Sequence, residues 1–402
     1  MKRTLIAGLC TLCILSGLTS ITSAASAESK QASVVHAIVP ATSKASSQSI
    51  RIFWSSAMDE AVSCYYVMRR GTKNSKGTGK WETIAEVDSD GVKGGPANTY
   101  TDQLSTSRPQ QYAYKICTLS ADEKTDTRNA KYADETNPYS VLGSNIKVCI
   151  DPGHFADLNN NYGLTGDNGK YPYAEGAFCL KIGTALQKEL QQAYGIDSFM
   201  TRTGKSISLL YNGNRYTNEK LDNANITVRG SSAKTENCDF FISLHTNASS
   251  RQKNPWNQSQ NINKSFVFVN QSAHSSTAGM NIANSIGLNL TAYNQKAGMQ
   301  TAGFTTQKKN KAPNFSTQNN DSTKTNGTVI YRSRSGGDDY LGVLRGANTS
   351  GVQGILVEHA YHVTRVMRKQ AAASPDLYQN WAACDAYGIA YGYGFVSSIK
   401  QP

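Results

Sequence analysis

The stretch KVCIDPGH, Lys147 to His154, decides how the rest of the chain is read. Val148-Cys149-Ile150 is a short apolar run, the pattern of a strand buried on both faces. An acid, a helix breaker, a glycine and one of the chain's 6 histidines follow it. Strands of a parallel sheet finish this way when the next loop carries chemistry, because ligands gather beyond their carboxyl ends.

From residue 146 onward, strands and helices alternate, which predicts a three-layer α/β domain with a mostly parallel central sheet over 146–400. EGAFCLKIGTALQKELQQAYG sets Phe178, Ile182, Ala185, Leu186 and Leu190 at helical spacing, with Gly195 just past the end. IDSFMTR reads as a second strand, TVRGSSAKTEN as a second helix, and CDFFISLH as a third strand ending in His245. SFVFVN is a further strand, and a long helix covers roughly residues 275–294. The polar segment 305–328 reads as a surface excursion. Order returns with TVIYRS, YLGVLRGA and the strand GILVEHAY. Ser374-Pro375-Asp376 then announces a closing helix.

Residues 33–142 follow another grammar. SIRIFWSS, CYYVMRRG, WETIAEVD, NTYTDQL and QYAYKICTLS alternate in polarity and are separated by polar turns, which predicts an all-β sandwich. With Trp54 in the second strand and YAYKI in the place of a sixth, this segment resembles a fibronectin type III domain. If Tyr65, Val67, Tyr112, Tyr114 and Ile116 point inward, Cys64 and Cys117 face outward. In a fibronectin-like sandwich their strands are antiparallel neighbours, so a cross-strand Cys64–Cys117 disulfide is expected.

At 402 residues the chain is long enough for two or three such units. Lys2 and Arg3 precede the apolar run TLIAGLCTLCILSGL, and small residues around Ala27 offer a cleavage site, so residues 1–27 read as a signal peptide. The run falls short of the ~20 apolar residues a spanning helix needs. A protein exported to the cell envelope or beyond is expected. Without Lys2 and Arg3 the full chain's formal charge of +12 becomes about +10, which suits contact with wall polyanions. The basic residues are scattered and no nucleic-acid-binding motif appears, which argues against a nucleic-acid partner. The six cysteines beyond residue 27, Cys64, Cys117, Cys149, Cys179, Cys238 and Cys384, include no CxxC pair, so cysteine ligation of a metal is not expected.

Chemistry-bearing side chains collect at the strand ends of the α/β part. His154 and His245 finish two strands, and GILVEHAY delivers Glu358, with Leu356 and Glu358 on one face and Val357 and His359 on the other. Glu175 lies seven residues before Ile182 and leads the buried stripe of its helix, an odd place for a carboxylate without a partner. Two neutral imidazoles and one carboxylate, with a fourth position open, make a catalytic zinc site. Zinc lowers the pKa of water and polarises a carbonyl. A further glutamate outside the ligand set serves as general base and acid.

IDPGH, AEGAFCLKIGTAL, CDFFISLHTNA and GILVEHAY fall in the order and setting of the zinc-dependent N-acetylmuramoyl-L-alanine amidases of the type 3 catalytic domain, which residues 146–400 resemble. The resemblance implies cleavage of the amide between the lactyl group of N-acetylmuramic acid and the first L-alanine of the peptidoglycan stem peptide. It further implies His154, Glu175 and His245 as zinc ligands and Glu358 as the catalytic base and acid. Arg229 falls where the family often has an arginine, without an assigned role. His359 and His362 depart from the usual apolar residue after the glutamate and are read as supporting or structural. The other readings are a zinc exopeptidase on the same fold, or a non-catalytic protein that binds or regulates the wall. The β-sandwich is expected to act as a spacer or as a docking surface for glycan or protein.

Overall fold

The computed structural model describes residues 35–38, 49–54, 62–73, 76–77, 79–88, 98–106, 108–120, 141–155, 171–222, 224–248, 264–300, 303, 329–334 and 337–397. The expected signal peptide and the polar segment 305–328 lie outside them. The first strands are β1 (Val35–Ile38), β2 (Ser49–Trp54), β3 (Val62–Lys73), β4 (Lys76–Gly77), β5 (Glu82–Asp88), β6 (Asn98–Gln103), β7 (Gln111–Ser120) and β8 (Val141–Ser144). Then come β9 (Lys147–Pro152), α1 (Glu175–Tyr194), β10 (Asp197–Met200), β11 (Ser208–Tyr211), β12 (Asn214–Thr217), α2 (Glu219–Asp222) and α3 (Thr227–Thr235). The remainder is β13 (Phe240–Asn247), β14 (Phe266–Val269), α4 (Gln271–His274), α5 (Thr277–Lys296), β15 (Val329–Tyr331), α6 (Gly342–Thr349), β16 (Gln353–Tyr361), α7 (Arg365–Ala373) and α8 (Leu377–Gly392).

The apolar run of β9 becomes an inner strand of a six-stranded sheet ordered β10-β9-β13-β16-β14-β15. Its strands are parallel except where β14 meets β16. Alternation along the strands feeds two cores. Val148, Ile150, Ile242, Leu244, Ile355 and Val357 point to the side covered by α1, α5 and α8, where Ile182, Leu186, Ile286 and Trp381 meet them. Cys149, Phe241, Phe266 and Leu356 point to the other side, against Ala233 of α3 and Leu344 of α6. Each fully buried Leu or Ile there contributes about 1.5–3 kcal/mol by leaving water. The result is the expected three-layer α/β/α arrangement, with β9, β13 and β16 opening at the same end. Among the described residues, no helix is long and apolar enough to cross a membrane.

A carboxylate lies inside this apolar sheet. Asp151 is fully buried and accepts hydrogen bonds from Thr201 Oγ1 (2.6 Å), Ser243 Oγ (2.8 Å) and Arg229 Nε (3.0 Å). Burial alone would lift its pKa, but Arg229, Thr201 and Ser243 outweigh burial and hold it below the ordinary value. A carboxylate depressed on folding adds stability above its unfolded pKa and loses it as pH falls through the folded one. Asp151→Asn is therefore expected to cost about 3 kcal/mol at pH 7. The cost should shrink below about pH 4. Urea unfolding at the two pH values reads the difference, and an equal loss at both would contradict the assignment.

Ahead of residue 145, the sheet β1-β2-β6 faces the sheet β4-β3-β7-β8, in which β5 also pairs with β3. Ile50, Ile52 and Trp54 from one sheet pack against Tyr65, Val67, Tyr114 and Ile116 from the other, so the inward set read from alternation is the buried one. Cys64 lies on the opposite face, beside Tyr66, Met68 and Trp81. The expected Cys64–Cys117 bond is not formed: Cys64 is a free thiol. Leu119 stands across from it, and Cys117 stands across from Tyr66. One unshifted register runs from Cys64 to Gly71, two residues away from the register that would set Cys64 across from Cys117, and alternation alone does not report register. The Cys117 side chain itself lies outside the described residues.

The two parts meet at α1. Ser144 donates from both N and Oγ to the Gly195 carbonyl (3.0 and 3.1 Å), and Gln111 Nε2 donates to Tyr194 O (2.9 Å). Gly195 caps α1 in the left-handed region at φ 63°. A Cβ there would overlap the Leu142 carbonyl, so glycine is required both by the turn and by the close approach. α7 and the β11–β12 hairpin were not anticipated, and α8 begins at Leu377, with Asp376 making no side-chain cap bond.

Candidate metal centre and active site

The loop after β9 turns sharply enough to put His154 at φ 55°, in the left-handed region that costs a non-glycine residue about 1–2 kcal/mol. Three successive carbonyls of the loop are held by two buried arginines. Pro152 O accepts from Arg229 Nη2 (2.6 Å) and Arg202 Nε (3.0 Å), Gly153 O from Arg202 Nη2 (2.9 Å), and His154 O from Arg229 Nη1 (3.0 Å). Arg229, which had no assigned role, thus holds the loop that presents His154. It also reaches Asp222 Oδ1 (3.1 Å), whose second oxygen lies 3.3 Å from His154 Nδ1. A carboxylate on Nδ1 fixes the tautomer and leaves Nε2 as the electron-pair donor.

That Nε2 faces Glu175 Oε2 at 3.4 Å. Glu175 is the first residue of α1, buried at the positive end of the helix dipole, as its place at the head of the apolar stripe implied. Its Oε1 accepts from Thr246 N (3.0 Å) and lies 3.2 Å from His245 Nδ1. The His154 and His245 rings stand 4.9 Å apart and nearly perpendicular. Donor atoms of His154, Glu175 and His245 all lie within 4.8 Å of one another, as a chelating set must. Glu358 is paired in register with His245 across β13 and β16. Its Oε2 is shut off from solvent with no hydrogen-bond partner among the described residues, a state a native fold rarely leaves without a purpose.

The electrostatics suit a cation. Burial would push the His154 imidazole down, but Glu175 and Asp222 overcome it and raise it to about 10, so the pocket holds positive charge tightly. Burial lowers the pKa of His245, favouring the neutral imidazole a metal requires. Glu175 would be raised by burial, yet His154 and His245 keep it a carboxylate. Glu358 is raised well above the ordinary range by burial and by the Glu175 charge. Two carboxyl groups driven in opposite directions are the arrangement of a charged ligand beside a proton carrier.

His359 and His362 are turned away from this set. His359 Nδ1 donates to the His245 carbonyl (2.9 Å), its Nε2 lies 2.9 Å from Asp385 Oδ2, and the ring stacks on Trp381. His362 Nδ1 lies 2.9 Å from Thr246 Oγ1 beneath Tyr173. Both brace β13 from behind. The residues that sequence reading passed over are Asp222 and Arg202. Arg202 follows the carboxyl end of β10, so the rule that singled out His154 and His245 could have found it. Asp222 closes the short helix α2, a separate element from the α3 that carries Arg229, and no spacing in the sequence marks it.

Residues 148–391 match the family model described as Amidase_3, N-acetylmuramoyl-L-alanine amidase. The chain belongs to this amidase family. Its α/β domain is similar to solved structures at low identity. Cwp6 from Clostridium difficile is 21% identical at a TM-score of 0.41, over 61% of this chain and 29% of that one. AmiC2 of Nostoc punctiforme, an N-acetylmuramoyl-L-alanine amidase, is 20% identical at 0.37, over 61% of this chain and 96% of that one. Ami1 from Mycobacterium smegmatis is 16% identical at 0.38, over 62% and 97% respectively. The chain thus spans less than a third of Cwp6. No curated protein matches it. The Amidase_3 match takes in His154, Glu175, His245 and Glu358, and the β-rich part lies outside it.

Proposed function

We propose that this amidase-family chain is a zinc-dependent peptidoglycan hydrolase that cleaves the amide between the lactyl group of N-acetylmuramic acid and L-alanine. The observation that carries the reading is the convergence of His154, Glu175 and His245 beside the unpartnered Glu358 Oε2. Two imidazoles and a carboxylate are the donor set of a catalytic zinc site, which fits the residues present. Zinc bound there supplies Lewis-acid polarisation of a carbonyl and a lowered water pKa. Glu358 takes the proton of the attacking water on Oε2 and returns it to the departing alanine nitrogen, for which its raised pKa suits it. Asp222 and Arg229 keep the His154 ring aimed throughout.

The reading extends to the whole chain. Residues 1–27 direct export, 33–142 form a fibronectin type III-like unit, and 146–400 are the catalytic domain. The strand orders β1-β2-β6 and β4-β3-β7-β8 around Trp54 support the second assignment. Export with loss of Lys2 and Arg3 would bring a chain of net charge about +10 to the anionic wall.

Digestion of defined muropeptides, with and without chelator, tests the activity. Intact stem peptides with a free L-alanine amine should appear only when metal is present. Release of single amino acids would instead identify an exopeptidase, and an inert protein that still binds zinc would identify a wall-binding or regulatory role.

A further inference from the structure

Arg202 is a buried cation whose donors all go to backbone carbonyls. It is 3% exposed, and no ion pair involves it among the described residues. Nε donates to Pro152 O (3.0 Å) and Nη1 to Gly204 O (3.1 Å). Nη2 donates to both Gly153 O (2.9 Å) and Gly176 O (2.5 Å). A guanidinium held this way is costly to desolvate, and burial pulls its pKa down to about 10. An apolar side chain would fill the same space without that cost, so the fold gains something from the fork.

The two carbonyls on Nη2 identify the gain. Gly153 immediately precedes His154, and Gly176 immediately follows Glu175. These backbones come from separate elements, the loop after β9 and the first turn of α1, and residues 156–170 separate them in sequence. One planar nitrogen therefore spans the two pieces of chain that carry different donors to the candidate metal. Arg202 is itself fixed from below, since Thr201 N donates to Ile150 O (2.9 Å) and Thr201 Oγ1 to Asp151. Lysine could not replace it, because a single ammonium cannot reach carbonyls spread along a planar five-donor fork.

We propose that Arg202 is a positioning residue of the metal centre, setting the spacing between His154 and Glu175 and with it the affinity for a divalent cation. The proposal rests on the metal-site reading above. It is tested in the full chain by measuring zinc affinity against a competing chelator for wild type, Arg202→Lys, His154→Ala and Leu190→Ala. The last removes a core side chain at the far end of α1 and controls for general destabilisation. Arg202→Lys should bind zinc roughly 10- to 100-fold more weakly, while Leu190→Ala keeps wild-type affinity. Methylguanidinium added to Arg202→Ala should restore part of the lost affinity, which a merely weakened fold would not do, and this arm decides the matter if Arg202→Lys fails to fold. Wild-type affinity in Arg202→Lys, or absence of rescue, overturns the proposal. If wild type and His154→Ala bind zinc equally, the metal-site reading itself has failed.

Discussion

Glu358→Gln should keep its zinc and lose turnover by roughly 10²- to 10⁴-fold, the range of a general acid–base contribution. The amide is nearly isosteric and enters a position where Oε2 has no partner to lose, so structure and metal binding should survive. What disappears is the ability to accept the water proton and deliver it to nitrogen. The same substitution should make the metal-free protein more stable at neutral pH. A carboxyl raised in the folded state binds its proton more tightly there than in the unfolded chain, so stability falls as pH climbs past the unfolded pKa. Removing that ionisation removes the penalty. Steady-state kinetics on a muropeptide and calorimetry in chelator read the two effects. Undiminished turnover would remove Glu358 from the mechanism.

Gly153→Ala should abolish tight zinc binding although no donor is touched. A Cβ at Gly153 would overlap the His245 ring, contacting Cε1, Nε2 and Nδ1 together. The backbone at Gly153 lies outside the left-handed region, so alanine is tolerated locally and the imidazole must give way. His245 is hemmed in by Glu175 and by the β13–β16 register, so the ring cannot shift and still face His154. Zinc affinity should fall by at least about 10²-fold, the upper end for displaced supporting contacts, while the unfolding midpoint in chelator changes little. Metal content after dialysis, measured by elemental mass spectrometry, decides it. One tightly held zinc per chain would show the ring is free to relocate.

Much of this site was legible because strand ends are legible. His154, His245 and Glu358 each follow an apolar run, and a parallel sheet brings such ends together whatever their distance in sequence. Glu175 betrayed itself by heading a buried stripe. Arg202 and Asp222 act through carbonyl and imidazole contacts made by the turn of the 152–154 loop, and no periodicity encodes those. The Cys64–Cys117 expectation failed for a related reason. Alternation gave the correct face for Cys64, but it does not report the pairing register, which sets Cys64 across from Leu119. The backbone of β11–β12 and α7 follows from local turns between longer elements, where apolar spacing is too brief to read.

Helix α1 has one more consequence. Its 20 residues make a rod of roughly 30 Å, with Glu175 at one tip and the carbonyls gripped by Gln111 and Ser144 at the other. The β-rich half is therefore a splint on the enzyme, not a leash. A shortened protein beginning at Lys147 would leave that far tip bare, so trimming the chain to its amidase-family part would loosen the strut that carries Glu175.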